Sequence, residues 1–264
     1  MKTRDYLNKN YNDTLIALTY LLDKPKSYIL LNPDLDLDEE IEKSLDKILA
    51  LREKNYPLQY AIGYWEFYGI NFKVDERALI PRFETEIIVD YIIKGDFKKD
   101  RILDIGTGSG AIALSLGENL KDSAIIGSDI EDKALDLASL NRSRLGISNV
   151  DFIKSDLFQN IDSKFDIIVS NPPYIKKEDY ERLEKELYYE PKSALLAEDE
   201  GLYFYKKIIK DAKDYLNDGG LLIFEIGYDQ KLKLIDLLNK SDFKNIISMK
   251  DYNDFDRFIV AKKG

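Results

Sequence analysis

From residue 101 to 261, apolar runs of strand length alternate with stretches that space their apolar residues as a helix does. The runs cover 101–105, 123–128, 150–155, 165–170, 221–226 and 256–261. Helical spacing occupies 111–116 and 201–216, and the second stretch leads into Asn217-Asp218-Gly219-Gly220, a sequence suited to a left-handed helix stop. This alternation predicts an α/β fold with a largely parallel sheet, closed by 256–261. The N-terminal part, to residue 56, reads as helical and separate. Asp13 and Thr14 are placed to cap a helix over 15–22, and Asp38 to start one whose Ile41, Leu45, Ile48 and Leu49 share a face. After Pro57, alternating aromatics around Gly69 predict a β-hairpin over 67–74, with Trp65 and its neighbours as packing groups. Three parts follow: a helical region 1–56, a hairpin linker 57–76 and an α/β body 77–264. The charged stretch 178–187 reads as a helix, either a wall of a cleft or a solvated surface element.

Composition narrows the chemistry. With 264 residues, 44% of them hydrophobic, 18 Tyr and 12 Phe, the chain can bury a large core. It contains no Cys and no His, which removes disulfides, thiolate nucleophiles and imidazole as base or ligand. The acidic run Asp34 to Asp38 lacks the glycine and the closing glutamate of a calcium loop, since Glu39 and Leu45 stand there, so capping and solvation account for it. No apolar run approaches membrane-spanning length, and the polar start Met1-Lys2-Thr3-Arg4-Asp5 lacks a signal-peptide core, so a cytoplasmic location is expected. The net charge of −10, from 39 basic and 49 acidic residues, works against long contacts with nucleic-acid phosphates and suits a protein partner.

Two segments carry candidate chemistry. Asn171-Pro172-Pro173-Tyr174 follows the run 165–170 directly, at the C-terminal end of a buried strand, where doubly wound α/β proteins place ligands. Proline has no N–H, so this corner offers acceptors: the Asn171 side chain and the Pro172 carbonyl can each take one N–H of an amide or exocyclic amine while Tyr174 packs against its plane. An ordinary strand-end turn accounts for half of these residues. The second segment is Asp104-Ile105-Gly106-Thr107-Gly108-Ser109-Gly110, a strand running through a glycine turn into a helix. Its glycines recur at every second residue, so the dinucleotide fingerprint is not met and a different nucleoside ligand is indicated. Asp129 and Asp156 end the next two strands, and with Asp104 they form one acidic rim beside the turn. Asp129 is placed to accept hydrogen bonds from ribose hydroxyls. Each such Asp taken singly reads as a helix cap.

These segments together resemble the class I S-adenosylmethionine-dependent methyltransferases that act on planar NH₂ groups. Pro57-Leu58-Gln59-Tyr60-Ala61-Ile62-Gly63, the hairpin, Leu79-Ile80-Pro81-Arg82-Phe83-Glu84-Thr85-Glu86, Glu190-Pro191-Lys192-Ser193-Ala194-Leu195 and Glu225-Ile226-Gly227-Tyr228-Asp229-Gln230 are similar to the HemK/PrmC family of protein glutamine methyltransferases. The likeness runs over nearly the whole chain. Phe83 stands where the family usually has Pro, which bears on the shape of that loop. The resemblance implies a Rossmann-like sheet, mostly parallel with an antiparallel last strand, and a helical N-terminal part that grips the substrate. It implies S-adenosylmethionine held by Asp104, Gly106, Thr107, Gly108, Ser109, Gly110, Asp129, Asp156, Leu157 and Asn171, with no metal. Asn171, Pro172, Pro173 and Tyr174 would meet the target amide, with Asn171, Pro172 and Tyr174 serving the transfer. The implied substrate is the glutamine of the Gly-Gly-Gln tip of class I peptide chain release factors, and the implied enzyme a monomer. A ribosomal-protein glutamine, an adenine amine in DNA or RNA, and a non-catalytic adaptor are the alternatives.

Overall fold

The computed structural model describes residues 1–264. Its first five helices are α1 (Thr3–Leu7), α2 (Tyr11–Leu22), α3 (Lys26–Leu31), α4 (Glu39–Arg52) and α5 (Leu58–Ile62). They pack around Tyr6, Leu18, Ile29, Leu45 and Ile48. Asp38 caps α4 as expected, its Oδ1 accepting from Ile41 N at 2.8 Å, and Leu45 and Ile48 of the predicted face are buried. The start of α2 differs. Asn10 is the cap, accepting from Asp13 N at 3.2 Å, because Asp13 faces Arg52, whose Nε lies 2.9 Å from its Oδ2, and the Thr14 hydroxyl donates to Tyr6 O. Asp34 pairs with Arg4 at 2.9 Å, so the acidic run divides into a surface ion pair and a cap.

The chain divides into two compact units: Met1–Trp65 with Glu184–Tyr189, and Glu66–Leu183 with Glu190–Gly264. The charged stretch is not the continuous helix its pattern suggests. Only α9 (Lys177–Tyr180) is α-helical, and Lys185–Tyr189 forms a tighter 3₁₀ turn. Distant partners decide this: Glu186 takes Arg52 Nη2 at 2.7 Å, and the Tyr189 hydroxyl donates to Lys54 O while its ring meets Tyr56 edge-on.

A hairpin, β1 (Tyr64–Phe67) and β2 (Ile70–Lys73), turns through Tyr68 and Gly69, both with positive φ, which matches the twist of paired strands. The remaining elements of the second unit are α6 (Glu86–Lys94), β3 (Arg101–Ile105), α7 (Ala111–Asn119), β4 (Ala124–Asp129), α8 (Asp132–Leu145), β5 (Val150–Lys154) and β6 (Phe165–Ser170). They continue through α9, α10 (Glu198–Gly201), α11 (Tyr203–Tyr215), β7 (Leu216–Glu225), α12 (Lys231–Lys240), β8 (Phe243–Lys250) and β9 (Asp256–Lys263). One seven-stranded sheet runs in the order β5-β4-β3-β6-β7-β9-β8, parallel up to β7. β6 is buried at every position, which is why its sequence is uniformly apolar rather than alternating.

Two expectations at the far side of the sheet are corrected. β9 does not close it: β9 runs antiparallel between β7 and β8, and β8 is the edge. The pattern of β8 is weak because most of its residues are exposed or half-buried. Nor do the glycines after α11 stop that helix. The chain leaves α11 extended at Leu216, and Asn217, Asp218, Gly219 and Gly220 form a bulge between the pairs Phe165–Leu216 and Ile167–Leu221. Asn217 Nδ2 donates to Asp166 Oδ1 at 2.7 Å there, and a Cβ on Gly220 would lie 3.0 Å from Asp166 O.

β4 and β5 extend the sheet on one side of β3, and the chain then returns to lay β6 on the other. Crevices open at the C-terminal ends of strands where the order reverses in this way. Ile105 pairs with both Ser128 and Ser170, and Ser170 with Phe224, so Gly106, Asp129, Asn171 and Glu225 emerge at one level of the sheet. No helix is long and apolar enough to cross a membrane.

Candidate active site

A cavity of about 320 Å³ opens at this switch point. Of the residues singled out in the sequence, Gly106, Gly108, Asp129, Asp156, Leu157, Asn171, Pro172 and Pro173 line it. Asp104, Thr107, Ser109 and Gly110 are not on its surface, and Tyr174 packs partly buried against the main core cluster.

The glycine turn is built locally. Gly106, Gly108 and Gly110 all have positive φ, and the N–H groups of Gly106 and Thr107 donate to Ser128 O at 2.8 and 2.9 Å. A Cβ at Gly106 would meet no atom within 4 Å, whereas one at Gly110 would lie 3.0 Å from both Leu114 and Phe152. The first glycine therefore leaves backbone bare toward the cavity, and the third lets α7 pack on the sheet. Asp104 is 1% exposed. Burial pushes its carboxyl up to about 7, opposed by the Thr107 hydroxyl, which donates to Oδ2 at 2.6 Å. That hydrogen bond shapes the turn.

Asp129 ends β4 with each oxygen already oriented: Gly108 N donates to Oδ2 at 2.9 Å and Glu131 N to Oδ1 at 3.0 Å. Burial raises its pKa while these amides lower it. The remaining lone pairs of a carboxylate held in this way suit two vicinal hydroxyls. Leu157 adopts φ +52°, a left-handed conformation that is costly for a branched side chain, and the Ser155 hydroxyl secures it by donating to Leu157 O at 2.8 Å. Leu157 thus presents an apolar surface beside Asp156.

The corner after β6 is held from farther away. Ser170 Oγ donates to Ile105 O at 2.7 Å and ties the end of β6 to β3. Asn171 Nδ2 approaches Thr85 Oγ1 at 3.5 Å, and Thr85 Oγ1 donates to Glu225 Oε2 at 2.6 Å. Burial lifts the Glu225 carboxyl to about 7, with Thr85 and Arg257 pulling it down. Burial likewise pushes the Tyr174 hydroxyl well above the usual phenol range, and Glu225 adds to this while Arg257 opposes it. Gln230 fixes the outgoing chain: Nε2 donates to Tyr174 O and Gly201 O, each at 3.3 Å, and Oε1 accepts from Gly227 N at 2.9 Å. Glu190, buried, accepts from Ile80 N at 3.1 Å and Arg82 Nη2 at 2.6 Å, which fixes the loop whose Arg77, Ala78 and Leu79 line the cavity.

Sequence reasoning gave no role to Thr85, Glu190, Glu225 or Gln230. Each lies in a segment that carries the family resemblance, and a polar residue embedded in a strand end, as Glu225 is, was the available signal.

Known families match this chain over two stretches. The PrmC N-terminal domain family matches residues 4–63, and the Methyltransferase small domain family residues 83–200. The release factor glutamine methyltransferase of Fusobacterium nucleatum is 43% identical over 273 aligned positions, covering 99% of this chain and 77% of that protein. That of Clostridium botulinum is 38% identical over 258 positions, covering 95% and 91%. A crystal structure of a methyltransferase from Pyrococcus furiosus superposes with a TM-score of 0.56 at 21% identity, covering 82% of this chain and 98% of that one, a likeness of fold. The sheet, mostly parallel with its last strand antiparallel, is the Rossmann-like sheet of class I methyltransferases. By identity carried over nearly its full length, together with both matched domains, the chain belongs to the release factor glutamine methyltransferase family.

Proposed function

We propose that this protein transfers a methyl group from S-adenosylmethionine to the side-chain amide nitrogen of the glutamine in the Gly-Gly-Gln tip of class I peptide chain release factors. The observation that carries this reading is one cavity shared by the acceptor corner Asn171-Pro172-Pro173 and the bare backbone of Gly106 and Gly108. The residues present fit the methyl donor: the open side of Gly106 leaves room for close approach, Asp129 offers lone pairs for a ribose diol, and Leu157 gives apolar contact for a base. When bound, S-adenosylmethionine supplies a methyl already activated by its sulfonium.

What remains for the protein is to hold and orient. An amide nitrogen is a poor nucleophile because its lone pair is delocalised into the carbonyl. Asn171 Oδ1 and the Pro172 carbonyl would each accept one N–H of the glutamine amide, fixing the plane of the nitrogen. These acceptors gain strength as positive charge develops on it. With donor and substrate seated, the cavity walls would shield the approach from water, and the surplus proton would leave to solvent after the transfer. No strong base is required, in keeping with a chain that has neither His nor Cys.

Incubation with methyl-labelled S-adenosylmethionine and a purified class I release factor tests this. Label is expected on the tip glutamine of the natural factor and absent from a factor whose tip glutamine is replaced by alanine. Equal labelling of both factors rejects the substrate.

A further inference from the structure

Whether Asn171 can accept from a substrate amide depends on which end of its carboxamide faces the cavity, and the two ends are nearly isosteric. The surrounding hydrogen bonds decide this. Thr85 and Glu225 are 4% and 2% exposed, and the Thr85 hydroxyl commits its one proton to Glu225 Oε2 at 2.6 Å. Its oxygen is then left only as an acceptor. The group that Asn171 turns toward it, 3.5 Å away, must therefore be the NH₂, and Oδ1 is directed elsewhere. The contact is long, as catalytic hydrogen bonds often are before substrate binds.

We propose that Thr85 and Glu225 are positioning residues that hold the Asn171 carboxamide with its oxygen toward the substrate amide, the ionised Glu225 setting the direction of the whole relay. The inference rests on the glutamine-methylation reading above. Protonation of Glu225 reverses the relay. A carboxylic acid at Glu225 donates to Thr85 Oγ1, the Thr85 proton becomes available to Asn171, and the amide turns its NH₂ toward the N–H groups of the substrate, donor against donor. The charged and titratable groups around Glu225 are Arg82 and Arg257, which favour its ionised form, Glu84, which opposes it, and the phenols of Tyr174 and Tyr205, both held neutral by burial. Burial places the Glu225 carboxyl at about 7, so the relay changes direction near neutral pH.

The test compares the natural protein with Thr85→Val, Thr85→Ser and Glu225→Gln, measuring kcat for methyl transfer from pH 5.5 to 8.5 and, by calorimetry, the Kd for S-adenosylmethionine. Thr85→Val keeps the shape and removes the hydroxyl, and is expected to lower kcat roughly tenfold or more with Kd changed less than about twofold. Thr85→Ser restores the hydroxyl and most of the rate. The natural protein loses kcat below about pH 7, and Glu225→Gln, whose amide oxygen can still accept from Thr85 but cannot ionise, lacks that acid limb. Unchanged kcat in Thr85→Val, an acid limb that persists in Glu225→Gln, or a Kd that rises in step with lost activity overturns the proposal. Absence of transfer by the natural protein overturns the functional reading along with it, whereas natural transfer with an unimpaired Thr85→Val overturns the relay alone.

Discussion

The glycine turn after β3 and the acceptor corner after β6 lie on the same sheet edge, and each is built around a buried carboxyl group raised to about 7, Asp104 in one and Glu225 in the other. They differ in where their support comes from. Asp104 is bonded by Thr107, three residues away, and the turn also hangs on Ser128 of the adjacent strand. Asn171 depends on Thr85, 86 residues away, which in turn depends on Glu225, 140 residues from it. The first device is shape: glycines take the φ values required and the backbone follows. The second is direction, which backbone geometry alone cannot supply for a side chain whose two ends have equal size. Distant buried partners supply it, at the cost of enclosing a second carboxyl group.

The sharpest way to separate the two is to remove the directed group itself. Asn171→Ala is expected to lower methyl transfer by about 10³-fold, in line with loss of one oriented hydrogen-bonding group at a reacting centre. Thermal stability and calorimetric binding of S-adenosylmethionine should stay measurable. A residual rate near that of the natural protein would show that the Pro172 carbonyl suffices and that the corner is no more directed than the turn.

A smaller effect is expected where the outgoing chain is fixed. Gly201 has φ +80°, and a Cβ there would stand 2.2 Å from Tyr174 O. Gly201→Ala should therefore lower unfolding stability by about 3 kcal/mol, read from denaturant titration, and reduce transfer as Tyr174 is displaced. Full transfer in a stable variant would mean that the corner keeps its shape without Gln230 and Gly201, as a purely local turn would.

The smallest effect concerns the local device. Asp104 has a folded pKa near 7, raised above its unfolded value, so between about pH 4 and 7 the unfolded chain has released a proton that the folded one keeps. Stability must then fall as pH rises, by about 2 kcal/mol from pH 5 to 7 for this group. Asp104→Asn retains an oxygen for Thr107 and should remove this part of the decline, measured as Tm across that range. Identical slopes in the two proteins would place the carboxyl in contact with water or a counter-charge.

The central strands β3 and β6 were legible because burial on both faces leaves little but apolar residues in their sequences. The residues lining the cavity were legible for a related reason: Gly106, Gly108, Asp129, Asp156 and Asn171 sit at strand ends that the alternating pattern locates. β8 was not, since an edge strand with one wetted face carries little signal. The segment 178–187 misled, because its helical pattern is overridden where Glu186 and Tyr189 are claimed by Arg52 and Lys54.

By itself, then, the sequence determined the order along the chain of every strand of the large sheet but β8, the turn at Gly106 and the presence of an acceptor corner at Asn171, since each depends on residues adjacent in the chain. Only the tertiary structure decided the position of β9 inside the sheet and which way the Asn171 amide faces, because strand order and hydrogen-bond direction are set by partners from remote segments that meet only when the sheet is assembled.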